Sequence, residues 1–594
     1  MRVFLLHPED DFDGWWTSQP WDSVVDLGRA PKSFYDERSA ELGCPVSSIF
    51  DLAAEVEDLT IWRGLLQLGM GRVVDRFGID WWDVISLALQ PELQDVRLAL
   101  RLAGKLNQCS RLAASRRSLV AEALRLHWKI PLQVLPRRQR KLRVPTFLRR
   151  SVNAAANLGF EQLLQVVYDK YDPHYHWRRK LAGPPAQAAK GKSESKPLVL
   201  LPSAYSNVTK TALTYAGILP EQKFLLVLAR ESGAVSPVPP NVESARLASF
   251  AAQTYDRAEL QKLEDCWKQM EQSLGEHPEF KLPVQLDILK KGPRWLRWGV
   301  AVRDAWIRVF EARSVVGCLS ADDSNPYTRI PLLLAGQRGI PAVACHHGAL
   351  DCRMAFKNPQ FSSYFANGEM ERDYLERISS VNASRIRIGA ASSLMRENAS
   401  IWSERAPWIT WFTEPYETDL WRVEAIYREL LPRLCATARR SGKVVVLKLH
   451  PFESARQRLR LVKPILSEDD RKLVSVTDAP LSREILQNTW CAVTVESTVA
   501  FECASAGIPA FLCGWLRNAY AGYAPQYVRF GVARMLEFPD DLLRIPDILR
   551  AAIPSLDTAR RLARTISPEA LSEALCQPAR SGLRPLLKNG EESP

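Results

Sequence analysis

The sequence predicts an α/β protein in which two Rossmann-like domains face each other across a cleft, behind an additional N-terminal α/β domain. Three observations carry this expectation. Short apolar runs alternate with amphipathic helical stretches from residue 198 onward, and the alternation starts afresh near residue 408. Ahead of both lies a stretch at 182–197 (AGPPAQAAKGKSESKP) rich in Pro, Ala, Gly, Lys and Ser, whose lack of hydrophobic periodicity marks a solvated linker. The expected partition is therefore 1–181, linker 182–197, 198–390 and 391–594.

The bulk properties agree. A chain of 594 residues is too long for one core. Its 46% hydrophobic and 25% charged residues belong to an ordinary globular protein, which excludes disordered and collagen-like classes. Lys and Arg number 79 against 67 Asp and Glu, a formal charge of +12 that suits an anionic nucleotide, a phosphorylated lipid or a membrane face. No zinc-finger, RNP or basic-zipper pattern accompanies that charge, so nucleic acid is not an expected partner. The 11 cysteines are spread singly without metal-ligand spacing and read as reduced core residues. The opening MRVFLLHPEDD is too short and too quickly acidic for a secretory signal, and no uncharged apolar run spans a bilayer, so a cytoplasmic location is expected.

In the N-terminal part, strands are expected at 2–6 and 23–27 and a helix at 92–106, which makes it α/β or mostly helical. Gly69-Met70-Gly71 resembles half a dinucleotide fingerprint, but the third glycine and a preceding strand are missing, so it reads as a helix or turn element. The first Rossmann-like domain takes strands at 198–201, 224–229, 284–289, 315–319, 341–345 and 361–366, with helices at 209–216, 295–312 and 331–338. The second takes strands at 408–412, 444–449, 473–476, 492–495 and 510–512.

The strongest local signal is residues 490–515 (WCAVTVESTVAFECASAGIPAFLCGW), where a buried strand ends at Glu496, Ser497 and Thr498 and a helix begins. Backbone N–H groups without intrahelical partners and the positive end of the helix dipole meet there and favour an anion. Glu502, four residues after Thr498, lies on the same helical face. The plain alternative is that Ser497 only caps the helix. A second element shifts the balance: residues 444–453 (VVVLKLHPFE) bring His450 and Pro451 to the carboxyl end of a strand, the edge at which open α/β sheets bind ligands. Together these groups could neutralise a leaving phosphate without a metal.

A third element, residues 341–350 (PAVACHHGAL), ends a strand in His346, His347 and Gly348. His347 is expected to point into the cleft, and Gly348 to permit the close backbone approach. Asp322, Asp323 and Asn325 follow the strand at 315–319, and either aspartate could accept a proton from an acceptor hydroxyl; Asp323 could equally cap the helix starting near Pro326. Asp11 and Asp13 form a DxD in an acidic turn, too short a pattern to assign a metal site.

The order strand-HHG, then residues 362–368 (SSYFANG), strand-KLHP, and strand-ES-T-x-x-x-E followed by AGIP resembles the GT-B enzymes of bacterial surface polysaccharides: capsule Kdo transferases, CDP-glycerol glycerophosphotransferases and the sialyltransferases with an HP motif. The resemblance covers roughly residues 198–540. It implies a glycosyltransferase that moves a sugar or a polyol phosphate, in which His450, Ser497 and Thr498 contact the phosphate of a nucleotide-sugar donor, CMP- or CDP-linked among the options; no metal or other cofactor is expected, since the sequence shows no strong metal-ligand cluster. Glu502 would contact ribose or base, and His347 the acceptor or a phosphate. The implied acceptor is a glycan or lipid-linked molecule.

Two rivals stand beside this reading. A non-hydrolysing nucleotide-sugar 2-epimerase uses the same scaffold but needs further cleft carboxylates. A scaffold protein on a degenerate transferase fold would use the tryptophan-rich basic segment 294–298 for partners or membrane. That segment, with 136–143 and 176–180, also underlies an expected peripheral contact with anionic membrane.

Overall fold

The computed structural model describes residues 1–8, 10, 12, 16, 19–53, 59–106, 108–135, 197–251, 256–347, 350, 361–391, 401–414, 420–450, 453–516 and 524–576. The linker at 182–197 lies outside them except for Pro197.

Near-continuous apolar strands suit parallel sheets covered by helices on both faces, and three parallel sheets form. The first holds β1 (Arg2–Leu6), β2 (Ser23–Asp26), β3 (Val46–Ser48), β4 (Arg111–Ala114) and β5 (Leu132–Val134), in the order β3-β2-β1-β4-β5. The middle sheet holds β6 (Leu198–Ser203), β7 (Phe224–Leu228), β8 (Val242–Arg246), β9 (Val315–Ser320), β10 (Ala342–Cys345), β11 (Ser363–Ala366) and β12 (Ile386–Ile388), ordered β12-β11-β10-β9-β6-β7-β8. The third holds β13 (Trp408–Phe412), β14 (Val444–Lys448), β15 (Val474–Thr477), β16 (Thr489–Thr494), β17 (Ala510–Cys513) and β18 (Arg534–Leu536), ordered β15-β14-β13-β16-β17-β18.

All three wind alike: the first strand is central, the second and third lie to one side, and the fourth starts the other side. The chain contains the two expected Rossmann-like units, and the additional N-terminal unit is a third one. The strand order reverses between β1 and β4, between β6 and β9, and between β13 and β16.

Several expectations need correction. Residues 284–289 are not a strand. Pro278 at a first helical position and the His277 imidazole, whose Nδ1 accepts the Glu279 N–H at 3.3 Å, start the helix Pro278–Gln285 instead, and a 3-10 turn follows at Leu289–Lys291. The third strand of the middle sheet is β8, whose sequence VESAR is mostly exposed at the sheet edge and carries no apolar run. The Gly69–Gly71 element, expected as a helix or turn, is where helix Leu59–Gly69 ends and a turn follows, with Gly71 at φ 75°.

The C-terminal tail does not stay with the third sheet. Helix Pro568–Cys576 buries Leu571, Ala574 and Leu575 against Val199, Leu319 and Val343 of the middle sheet. Gly368 makes this return possible, because a Cβ there would stand 2.1 Å from the Leu562 carbonyl oxygen.

Candidate functional site

At the third sheet's reversal, neighbouring strands β14, β13 and β16 deliver three short segments to one carboxyl edge. These are Leu449–His450 after β14, Thr413–Glu414 after β13, and 495–498 after β16. This crevice is where open α/β sheets take ligands, and the structure brings His450, Glu496, Ser497 and Thr498 to it together. Pro451 lies outside the described residues.

Two carboxylates that sequence reasoning missed organise this edge. Glu453 is buried and fixes the His450 turn: it accepts the His450 backbone N–H at 2.9 Å, the Thr413 hydroxyl, and the Arg458 guanidinium through Nε at 2.9 Å and Nη2 at 2.5 Å. The Glu453 N–H in turn donates to the His450 carbonyl at 2.9 Å. The loop after β14 is thereby tied to the end of β13. Glu414 bridges to the other neighbour, accepting the Thr494 hydroxyl at 2.8 Å and the Glu496 N–H at 2.7 Å. Burial pushes its carboxyl up from the ordinary range, against the pull of these two donors. Lys448 is also buried here, with its ammonium donating to the Leu449 carbonyl at 2.6 Å, and burial lowers its pKa. Both Glu414 and Lys448 stand at strand ends beside the reversal, a signal available in the sequence. The 40-residue link from Thr413 to Glu453 had none.

The helix after β16 is short, Val499–Ser505. Ser497 Oγ accepts the Val499 N–H at 3.3 Å, so its cap role is present, while Thr498 makes no side-chain cap bond. Glu502 follows on this helix with one buried carboxyl oxygen lacking a protein partner, and burial pushes its pKa up to about 7. The folded chain thus keeps a proton that an ordinary glutamate releases near 4.5. The resulting stabilisation is complete below that value and is lost as the pH rises through about 7. We expect the unfolding midpoint of the wild type to fall across this window relative to Glu502→Gln, which cannot ionise. Parallel midpoint-against-pH curves would remove the claim.

At the middle sheet's reversal, β6 leads into Tyr205, β9 into Asp322 and Asp323, and the adjacent β10 into His346 and His347. His347 is exposed, its Nδ1 lies 3.3 Å from the Ala321 carbonyl oxygen, and its ring stacks on His346 at 4.7 Å. Asp322 is 6% exposed and accepts the Ser324 N–H at 2.8 Å. Asp323 is 1% exposed and lies 3.6 Å from Arg329, so it faces a buried guanidinium and is not placed to meet a substrate hydroxyl. Nor does it cap the following helix, Pro326–Gln337. Asn325 does, accepting the Tyr327 N–H at 2.9 Å and donating to the Tyr205 hydroxyl at 2.8 Å. Arg230 also donates to that hydroxyl at 3.0 Å, and its guanidinium lies over the Tyr205 ring at 5.2 Å. Gly348 lies outside the described residues, as do Asp11 and Asp13.

The Asn367-Gly368 pair of the SSYFANG segment serves the fold. Asn367 donates its N–H and its amide to Glu371, both at 2.7 Å, while burial lifts the Glu371 carboxyl to about 7. In the 294–298 segment Trp298 is buried and packs edge-on against Tyr327 at 4.8 Å, which removes it from any membrane-facing surface. The segments 136–143 and 176–180 lie outside the described residues. Among the described residues no helix is long and apolar enough to cross a membrane.

No protein-family model matches the chain, and no curated protein matches it in sequence. Among solved structures, it is similar to the UDP-GlcNAc 2-epimerase of Neisseria meningitidis bound to UDP-GlcNAc. Identity is 11% and the TM-score 0.35, over 64% of this chain and 96% of that one. It is also similar to MurG of Acinetobacter baumannii (10% identity, TM-score 0.37, 64% and 99% covered) and to the calicheamicin glycosyltransferase CalG4 (13%, 0.37, 66% and 97%). Likeness at this level carries no functional inference, and the fold class rests on the topology of the sheets.

Proposed function

We propose that the protein is a glycosyltransferase of the GT-B kind that moves a sugar from a nucleotide donor, bound at the edge of β14, β13 and β16, to an acceptor at the edge of β6, β9 and β10. The observation that supports it is the delivery of His450, whose backbone is held by Glu453, and of Ser497 and Thr498 to the carboxyl edge at the third sheet's reversal of strand order. A preorganised donor aimed where phosphate charge develops lowers the barrier to departure of the nucleotide. His347 is the exposed base candidate on the other edge and Asp322 the second. The base takes the acceptor's hydroxyl proton, the acceptor oxygen bonds to the anomeric carbon, and the bond to the donor phosphate breaks, leaving the nucleotide at His450. The finer part of the proposal is a surface-polysaccharide or lipid-linked acceptor met at an anionic membrane face.

Thermal stabilisation by one member of a panel of CMP-, CDP-, UDP- and GDP-sugars tests the donor site. Stabilisation by none of them would contradict it. Because the leaving phosphate is met by protein groups, transfer is expected to survive EDTA. Complete loss restored by magnesium or manganese would show a metal requirement.

A specific observation also favours the 2-epimerase reading, since Glu414 adds a carboxyl group at the edge, where it accepts the Thr494 hydroxyl and the Glu496 N–H. Incubating the protein with UDP-GlcNAc in deuterium oxide without acceptor separates the two: deuterium at C2 belongs to the epimerase, its absence to the transferase.

A further inference from the structure

The three most deeply buried arginines among the described residues share one property. Each comes from the middle or third unit and reaches an aspartate of the first, although Arg303 also pairs with Glu259 and Asp304, and Arg329 also lies 3.6 Å from Asp323 of its own unit. Arg303, in helix Gly292–Ala312, donates to Asp75 at 2.7 Å, both side chains fully buried. Arg329, in helix Pro326–Gln337, donates to Asp83 at 2.6 Å. Arg422, in helix Leu420–Ser441 of the third unit, pairs with Asp26, again with both side chains fully buried.

The place of the last pair is informative. Asp26 ends β2, the position from which a carboxylate on a Rossmann sheet reaches a ribose. Here its oxygens accept the Gly28 N–H at 2.9 Å, the Tyr35 hydroxyl at 2.8 Å and the Arg422 guanidinium. Arg422 also donates to the Pro8 carbonyl, just beyond β1. Gly28 leaves the room this needs, because a Cβ there would stand 2.5 Å from Arg422 Nε. Alongside, Arg29 donates to the Trp515 carbonyl at 2.5 Å and Ser33 to Glu429 at 3.3 Å.

We infer that the first 135 residues act as a clamp: a Rossmann-type sheet whose ligand edge is filled by Arg422 of the third unit, while the turn and helix that carry Asp75 and Asp83 pack into the core of the middle unit. The clamp thus ties together the two units that carry the candidate donor and acceptor edges. Breaking a buried pair leaves an uncompensated charge, so release of the clamp is steep and local.

The test uses the full chain and hydrogen exchange, comparing wild type with Arg422→Met and, independently, Gly28→Ala, which attacks the same contact from the other side. In both variants amides at 24–30 and 422–430 are expected to exchange on the order of a hundredfold faster, while those of β13, β14 and β16 keep wild-type protection. No acceleration in either variant would overturn the clamp. So would loss of protection throughout the third sheet, which would make Arg422 a core residue of its own unit. Protection of 6–8 and 114–116 by added UDP in the wild type would also overturn it, because the edge would then be a ligand site.

Discussion

His450→Ala is expected to weaken nucleotide binding and to slow sugar transfer by on the order of a hundredfold, the usual effect of losing one preorganised donor to a developing charge. The fold should survive the change. What holds the turn is the His450 backbone N–H on Glu453, and alanine keeps it. Steady-state kinetics with the donor identified by thermal stabilisation would measure the effect, and kinetics equal to wild type would remove His450 from the mechanism. A loss confined to KM would assign it to ground-state binding rather than to the departing phosphate.

Glu453→Ala is expected to do more to the fold. The carboxylate compensates Arg458, which is itself mostly buried, and receives the His450 N–H and the Thr413 hydroxyl. Removing it strands a buried guanidinium and frees two donors, a loss on the order of 3–5 kcal/mol for a broken buried pair. The urea transition of the third unit should move accordingly to lower denaturant. The double variant Glu453→Ala/Arg458→Met should recover much of that stability but not the nucleotide affinity, since His450 remains unanchored. A single variant as stable as wild type would show that the pair does not organise the edge.

Much of the fold was legible because parallel strands buried on both faces leave unbroken apolar runs. Trp408–Phe412 and Val444–Lys448 were readable within a residue. The edge strand β8 was not, since half-exposed positions need no apolar residues, and residues 284–289 misled because a short apolar run fits a helix as well as a strand. In the N-terminal unit β1 and β2 were readable, but β3 and β5, three residues each, were not, and the long helix Trp81–Lys105 dominates the pattern.

The candidate site was legible where a strand end coincided with an unusual residue, as at His450 and Ser497. Its supports were not, because Glu453 to Thr413 and Asp83 to Arg329 join positions far apart in the chain. Asp323 shows the converse: its place after β9 is correct, but only the fold reveals Arg329 beneath it.

The central claim is that the carboxyl edge of β14, β13 and β16 is the nucleotide site. It is tested most directly by hydrogen exchange of the full chain with and without the nucleotide that stabilises it best. Protection is expected at 413–414, 449–450, 453 and 494–502. Protection found instead at 203–205 and 320–325, with the third sheet's edge unchanged, would contradict it.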